Sequence, residues 1–121
     1  MIRIAMVTVD SRDPRALAQW WRQVLGGELA DGSNGDFVIL DTESGARVAF
    51  QRVDEPTPGK NRLHLDLATG AGERAAQVER LVALGASIVA RHDHREGFGW
   101  VTLADPEGNE FDLAGASETG A

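Results

Sequence analysis

The chain repeats itself. Residues 1–53 and 61–114 each read as strand, helix and then three strands, and Leu25-Gly26 matches Leu84-Gly85 at a spacing of about 59 residues. Repetition of a whole supersecondary unit constrains the fold more than any single motif does. A four-stranded sheet carrying one helix has only one covered face. Two such units bury more if the helices stay outside and the sheets curl around a shared cleft. The expected fold is therefore α+β, with two βαβββ modules forming an open, barrel-like cleft. Residues 1–114 are read as one domain of two modules, with residues 54–60 as a linker and 115–121 as a flexible tail.

The local signals behind each repeat are physical. Residues 2–10 are rich in isoleucine, valine and threonine and read as a strand. Asp13-Pro14 opens a helix, with Asp13 as N-cap and Pro14 at the first helical position. Leu17, Trp20, Trp21, Val24 and Leu25 make one apolar stripe, which Gly26-Gly27 ends. Strands are expected at 28–30, 37–40 and 47–53, with turns at 31–35 and 42–45. Residues 54–61 hold Pro56, Pro58 and Gly59 and break the pattern.

The second half follows suit. A strand at 62–68 precedes a helix at 73–84, whose stripe is Ala75, Val78, Leu81 and Val82, with Gly85 as the stop. Strands are expected at 87–91, 98–103 and 109–113. His92 to Gly97 reads as a polar loop, and Asp105-Pro106-Glu107-Gly108 as a tight turn.

Two strands of this half carry chemistry. In Arg62-Leu63-His64-Leu65-Asp66-Leu67, leucine alternates with polar residues, so His64 and Asp66 share a face. In Glu110-Phe111-Asp112-Leu113, Glu110 and Asp112 share a face and Phe111 and Leu113 the other. Together they suggest a polar-lined cavity, in which a His64–Glu110 pair could do acid–base work. Trp100 and Phe98 are candidates for a wall that stacks on a flat ligand. Asp66 and Asp112 are further candidates for the lining, since strand parity does not settle whether they face it. His92-Asp93-His94 resembles a ligand cluster but sits in the expected polar loop, where solvation is the simpler fate.

Composition excludes several functions. With 12 basic and 19 acidic residues the formal net charge is −7, which disfavours a nucleic-acid or anionic-membrane partner. There is no cysteine, so a metal would have nitrogen and oxygen ligands only. No apolar run approaches the roughly 20 residues of a membrane span. The N-terminus lacks the apolar core of a signal peptide, so a cytoplasmic location is expected. Gly97-Phe98-Gly99 has no following helix to hold a phosphate, and there is no nucleophile elbow.

Taken with these features, the sequence resembles the vicinal-oxygen-chelate superfamily of glyoxalase I, bleomycin-resistance proteins, extradiol dioxygenases and methylmalonyl-CoA epimerase. It is most similar to small bacterial glyoxalase-like domain proteins. The likeness rests on Asp13-Pro14, Trp20-Trp21 and Leu25-Gly26 in the first unit. In the second it rests on Lys60-Asn61-Arg62-Leu63-His64-Leu65-Asp66-Leu67, Leu84-Gly85-Ala86, and Trp100-Val101 leading to Ala104-Asp105-Pro106-Glu107-Gly108-Asn109-Glu110-Phe111.

The resemblance implies a divalent metal (Zn, Ni, Fe or Mn) held by two ligands from each unit, one on the first strand and one on the last. His64 and Glu110 occupy those positions in the second unit. In the first unit they fall at Met6 or Ala5, and at Arg47 or Val48, none of which binds a hard cation. Gln51 lies nearby and could offer an amide oxygen. The metal site implied is thus incomplete. Three functions stay open: a binder of a small molecule in the cleft, a metal-dependent lyase, isomerase or dioxygenase, and a non-catalytic module with a vestigial cleft. The resemblance also implies a homodimer.

Overall fold

A computed structural model of the chain describes residues 1, 3–31, 35–59, 61–93 and 99–115. Phe98 and His94 lie outside the described residues. The chain divides into two compact units, Met1–Thr57 and Pro58–Ala121, so the division falls within the Pro/Gly-containing stretch 54–60. The fold is α+β, and each unit is a βαβββ module. No helix of the described residues is long and apolar enough to cross a membrane.

The first unit runs β1 (Val7–Ser11), α1 (Pro14–Leu25), β2 (Glu28–Asp31), β3 (Phe37–Asp41) and β4 (Arg47–Arg52). Its sheet order is β1-β4-β3-β2, with β1 parallel to β4 and the other neighbours antiparallel. The second unit runs β5 (Leu65–Thr69), α2 (Arg74–Leu84), β6 (Ser87–Asp93), β7 (Gly99–Ala104) and β8 (Glu110–Gly115). Its order, β5-β8-β7-β6, is the same topology.

Each core lies between a helix and one sheet face. On α1 the buried residues are Pro14, Leu17, Ala18, Trp20 and Trp21, and they pack on β3 and β4. Trp20 and Trp21 meet edge to face at 5.1 Å, so both indoles serve the core. Asp13 caps the helix, its Oδ1 accepting from the Ala16 amide at 3.2 Å. The facing pairs Val38–Phe50 and Leu40–Val48 are all buried. In the second unit Val101–Leu113 and Leu103–Phe111 occupy the same places in the register. There α2 packs on β8.

The expected stripe of α2 needs correction. Val78 and Leu81 are buried, but Ala75 and Val82 are exposed. The covered face runs instead through buried Val78 and Leu81 and half-buried Arg74, Gln77 and Leu84, whose i, i+3, i+4 spacing is equally helical. Both first strands also start later than expected, at Val7 and Leu65. Their parallel partners begin only at Arg47 and Glu110, so the residues before them have no ladder to join. Ile4 and Leu63 accordingly stand exposed.

Gly27 shows how tightly the helix is joined to the sheet. Its φ is +100°, and a Cβ there would lie 1.9 Å from the Asp41 carbonyl oxygen. Gly27→Ala should lower stability by about 2–4 kcal/mol, from left-handed strain plus overpacking. Urea denaturation followed by circular dichroism would check this; a loss below about 0.5 kcal/mol would contradict it.

Candidate functional site

The second sheet has one apolar face and one polar face, because β7 and β8 alternate strictly between buried and half-buried residues. Phe111, Leu113, Val101 and Leu103 form the apolar face. Opposite them lie Trp100, Thr102, Glu110 and Asp112, and the parallel pairing of Asp66 with Asp112 brings Asp66 to the same side. Strand parity left open whether Asp66 and Asp112 line a cavity or face solvent; Asp112 is half-buried, whereas Asp66 is exposed.

His64 sits immediately before β5. Asn61 guides the chain into this place. Its Oδ1 accepts from the Glu110 amide at 2.9 Å and its Nδ2 donates to the Leu63 carbonyl, so a side chain takes over where the strand ladder has not begun. His64 Nε2 then faces two carboxylates, Asp66 Oδ1 at 3.1 Å and Asp112 Oδ2 at 3.2 Å. The two contacts are unequal. The Asp66 side chain is 79% exposed, so water screens that pair and it adds little stability. Asp112 is 20% exposed and is held from its other side. Its Oδ1 accepts from the Thr102 hydroxyl at 2.5 Å. Thr102 Oγ1 lies 3.2 Å from His92 Nε2. The His92 ring stacks on Trp100, with centroids 4.7 Å apart and planes at 21°.

These groups surround a cavity of about 320 Å³ whose lining includes His64, His92, Trp100, Thr102, Glu110 and Asp112. His64 and Glu110 both line this cavity, all of whose lining residues belong to the second unit. The carboxylates that meet the imidazole, however, are Asp66 and Asp112. Among the described residues, the donors that converge within 4.8 Å of one another are those of His64, Asp66 and Asp112. Phe98, expected in the wall, lies outside the described residues.

Two residues of this site were not singled out from sequence in these roles. His92 was assigned to a polar loop, yet β6 continues through Asp93 and pairs His92 with Trp100. The loop expectation is corrected because the facing strand β7 supplies partners that far. Thr102 carried no signal beyond its alternation with Trp100. Asp93, the neighbour of His92, points to Arg74 at 3.6 Å and takes no part.

The repeat permits a test of metal fit in the first unit. Val7 pairs with Val48 as Leu65 pairs with Phe111, so Met6 stands where His64 does and Arg47 where Glu110 does. Arg47 is itself paired to Asp41 at 2.7 Å. Thr8, Ala49 and Ile39 take the places of Asp66, Asp112 and Thr102. Neither a thioether nor a guanidinium is a ligand for a hard cation, so a site with two ligands from each unit does not fit this chain. Gln51 lies on β4, exposed, and pairs with Phe37 and Asp10. The donor types of the second unit, one imidazole and two carboxylates within 4.8 Å of one another, suit such an ion. Donors around a divalent ion at about 2.1 Å are separated by roughly 3.0–3.4 Å, which His64 already shows to both carboxylates.

Compared with known proteins, the chain matches the family described as "Glyoxalase-like domain" over residues 6–114. No curated protein matches it by sequence. Solved structures of similar shape include a glyoxalase/bleomycin resistance protein/dioxygenase family enzyme from Burkholderia phytofirmans PsJN. It is 22% identical, with 92% of this chain and 96% of that chain covered and a TM-score of 0.77. The genomically encoded fosfomycin resistance protein FosX from Listeria monocytogenes is 14% identical, with 96% and 94% covered and a TM-score of 0.78. A mutant of FosX complexed with Mn(II) and 1S,2S-dihydroxypropylphosphonic acid is 17% identical, with 93% and 90% covered and a TM-score of 0.75. At these identities the likeness is one of fold.

Proposed function

The chain belongs to the glyoxalase-like domain family, and from that premise we propose that it binds a small molecule on the polar face of its second sheet, beside a divalent cation held by His64, Asp66 and Asp112. The observation that carries this reading is the convergence of one imidazole and two carboxylates at a cavity with an aromatic wall. Imidazole and carboxylate donors suit Mn, Fe, Ni or Zn. FosX, which shares the fold, is complexed with Mn(II). A bound ion would supply Lewis-acid stabilisation of negative charge on a ligand oxygen.

The chain's own residues supply the rest. Trp100 and His92 offer a flat surface for a planar ligand. Glu110, on the same lining, is available to take or return a proton. The described lining holds no lysine or arginine, so without a cation it would repel a phosphonate of the kind bound to FosX. A metal-free binder is the second reading, and Met6 and Arg47 in the ligand positions of the first unit favour it. A cytoplasmic homodimer completes the proposal. The strands β2 and β6 each end a sheet and have an edge to cover, and sedimentation would report the dimer mass.

Metal analysis of protein purified without a chelating tag tests the main reading. One equivalent of divalent ion per chain is expected, with His64→Ala weakening binding at least tenfold. Absence of any ion at saturating Mn(II) or Zn(II) would overturn it. Ligand quenching of tryptophan emission that survives in the metal-free protein and is lost in Trp100→Ala would establish the second reading.

A further inference from the structure

We infer that Thr102 and His92 are positioning residues, which fix the orientation of Asp112 toward His64 and so set how strongly the site holds a cation. The inference deepens the proposed function, and only its affinity test rests on that reading.

Asp112 uses both oxygens: Oδ2 faces His64 at 3.2 Å, and Oδ1 faces the Thr102 hydroxyl at 2.5 Å. A carboxylate only accepts, so the single hydroxyl proton of Thr102 goes to Asp112. That leaves Thr102 Oγ1 as the acceptor for His92 Nε2 at 3.2 Å. His92 must then carry a proton on Nε2. In its neutral form it is the Nε2–H tautomer, because the partner of a ring nitrogen decides which nitrogen is protonated. The β6–β7 register holds the ring in place by pairing His92 with Trp100, on whose indole it stacks.

The chain of contacts therefore runs from β6 through β7 to β8 and ends on the residue before β5. Each link has one direction. Because its two oxygens are engaged on opposite sides, the Asp112 carboxylate cannot turn out of its present plane without losing the Thr102 bond. Partners of this kind typically change metal affinity by about 10–100-fold when removed.

Thr102→Val removes the hydroxyl at nearly constant volume, and Thr102→Ser keeps it. Imidazole nitrogen–proton correlation spectra of the full chain, with no metal added, report the tautomer. His92 is expected as Nε2–H in the wild type and in Thr102→Ser, with the Nε2 and Hε2 shifts moving in Thr102→Val as the hydrogen bond to Oγ1 is lost. Finding the Nδ1–H tautomer in the wild type, or no change in Thr102→Val, would overturn the inference. Mn(II) titration by calorimetry gives the second readout. Affinity should fall about 10–100-fold in Thr102→Val and stay within about threefold in Thr102→Ser. Because His92 acts through Thr102, adding His92→Phe to Thr102→Val should cost nothing further. Equal Mn(II) affinity in wild type and Thr102→Val, or full additivity of the two changes, would count against it. If the wild type binds no Mn(II), the cation reading fails, and the tautomer spectra still decide the positioning role.

Discussion

Phe111→Ala is expected to cost about 3–5 kcal/mol of folding stability, the range for emptying a large aromatic from a core. Phe111 is 1% exposed and sits between Glu110 and Asp112 on β8. It pairs with Leu65 on one side and Leu103 on the other, so its ring is central to the apolar face of the second sheet. That face is the floor beneath the polar row, and a cavity there would loosen the strand that carries Asp112. Urea denaturation followed by tryptophan emission would measure the loss. Phe111→Leu, which leaves a smaller void, should lose less. A change below about 1 kcal/mol in Phe111→Ala would show that the helix and sheet collapse onto the gap, which close packing resists.

Asp105→Ala should cost about 2–4 kcal/mol, because it strands several half-buried donors at once and empties a buried position. Asp105 is 4% exposed. Its Oδ1 accepts from the amides of Glu107 and Asn109 at 2.9 and 3.0 Å, and Oδ2 accepts from Asn109 Nδ2 at 2.9 Å. The main chain closes the same turn, with the Gly108 amide donating to the Asp105 carbonyl at 2.9 Å and Gly108 at φ +89°. Asp105→Asn keeps one acceptor oxygen but sets an NH₂ against donors, so it should recover only part of the loss. The turn delivers β8 in register, so the displacement should also reach Asp112. Thermal melts of the two variants, with Mn(II) titrations of each, would show both effects. Wild-type melting in Asp105→Ala would refute the role given to this carboxylate.

The architecture was legible because the signals were local. Asp13-Pro14 and Gly26-Gly27 bracket α1, and the alternation in β8 separates Phe111 and Leu113 from Glu110 and Asp112. Asp105-Pro106-Glu107-Gly108, read as a tight turn, is one, closed by amide hydrogen bonds to the Asp105 carboxylate. The site itself was legible only to the level of a face. Which carboxylate meets His64 depends on the parallel register of β5 against β8. No turn links those two strands, so no local signal fixes that register. Thr102 and His92 were hidden for a related reason. Their meeting depends on β6 extending to Asp93, which the facing strand decides. On α2, Val82 reads as core by spacing alone, and only the path of the sheet beneath shows that it faces water.

The matched registers of the two halves have a consequence for how the chain could be altered. Met6, Thr8, Ile39 and Ala49 hold the coordinates that His64, Asp66, Thr102 and Asp112 hold in the other half. One half of the chain carries the polar row and the other has mostly apolar side chains at the matching positions. The four addresses are not equally open to change: Thr8 is exposed and Met6 and Ile39 are half-buried, but Ala49 is fully buried. Transplanting the polar quartet into the first half would ask whether the scaffold alone is enough to found a second centre.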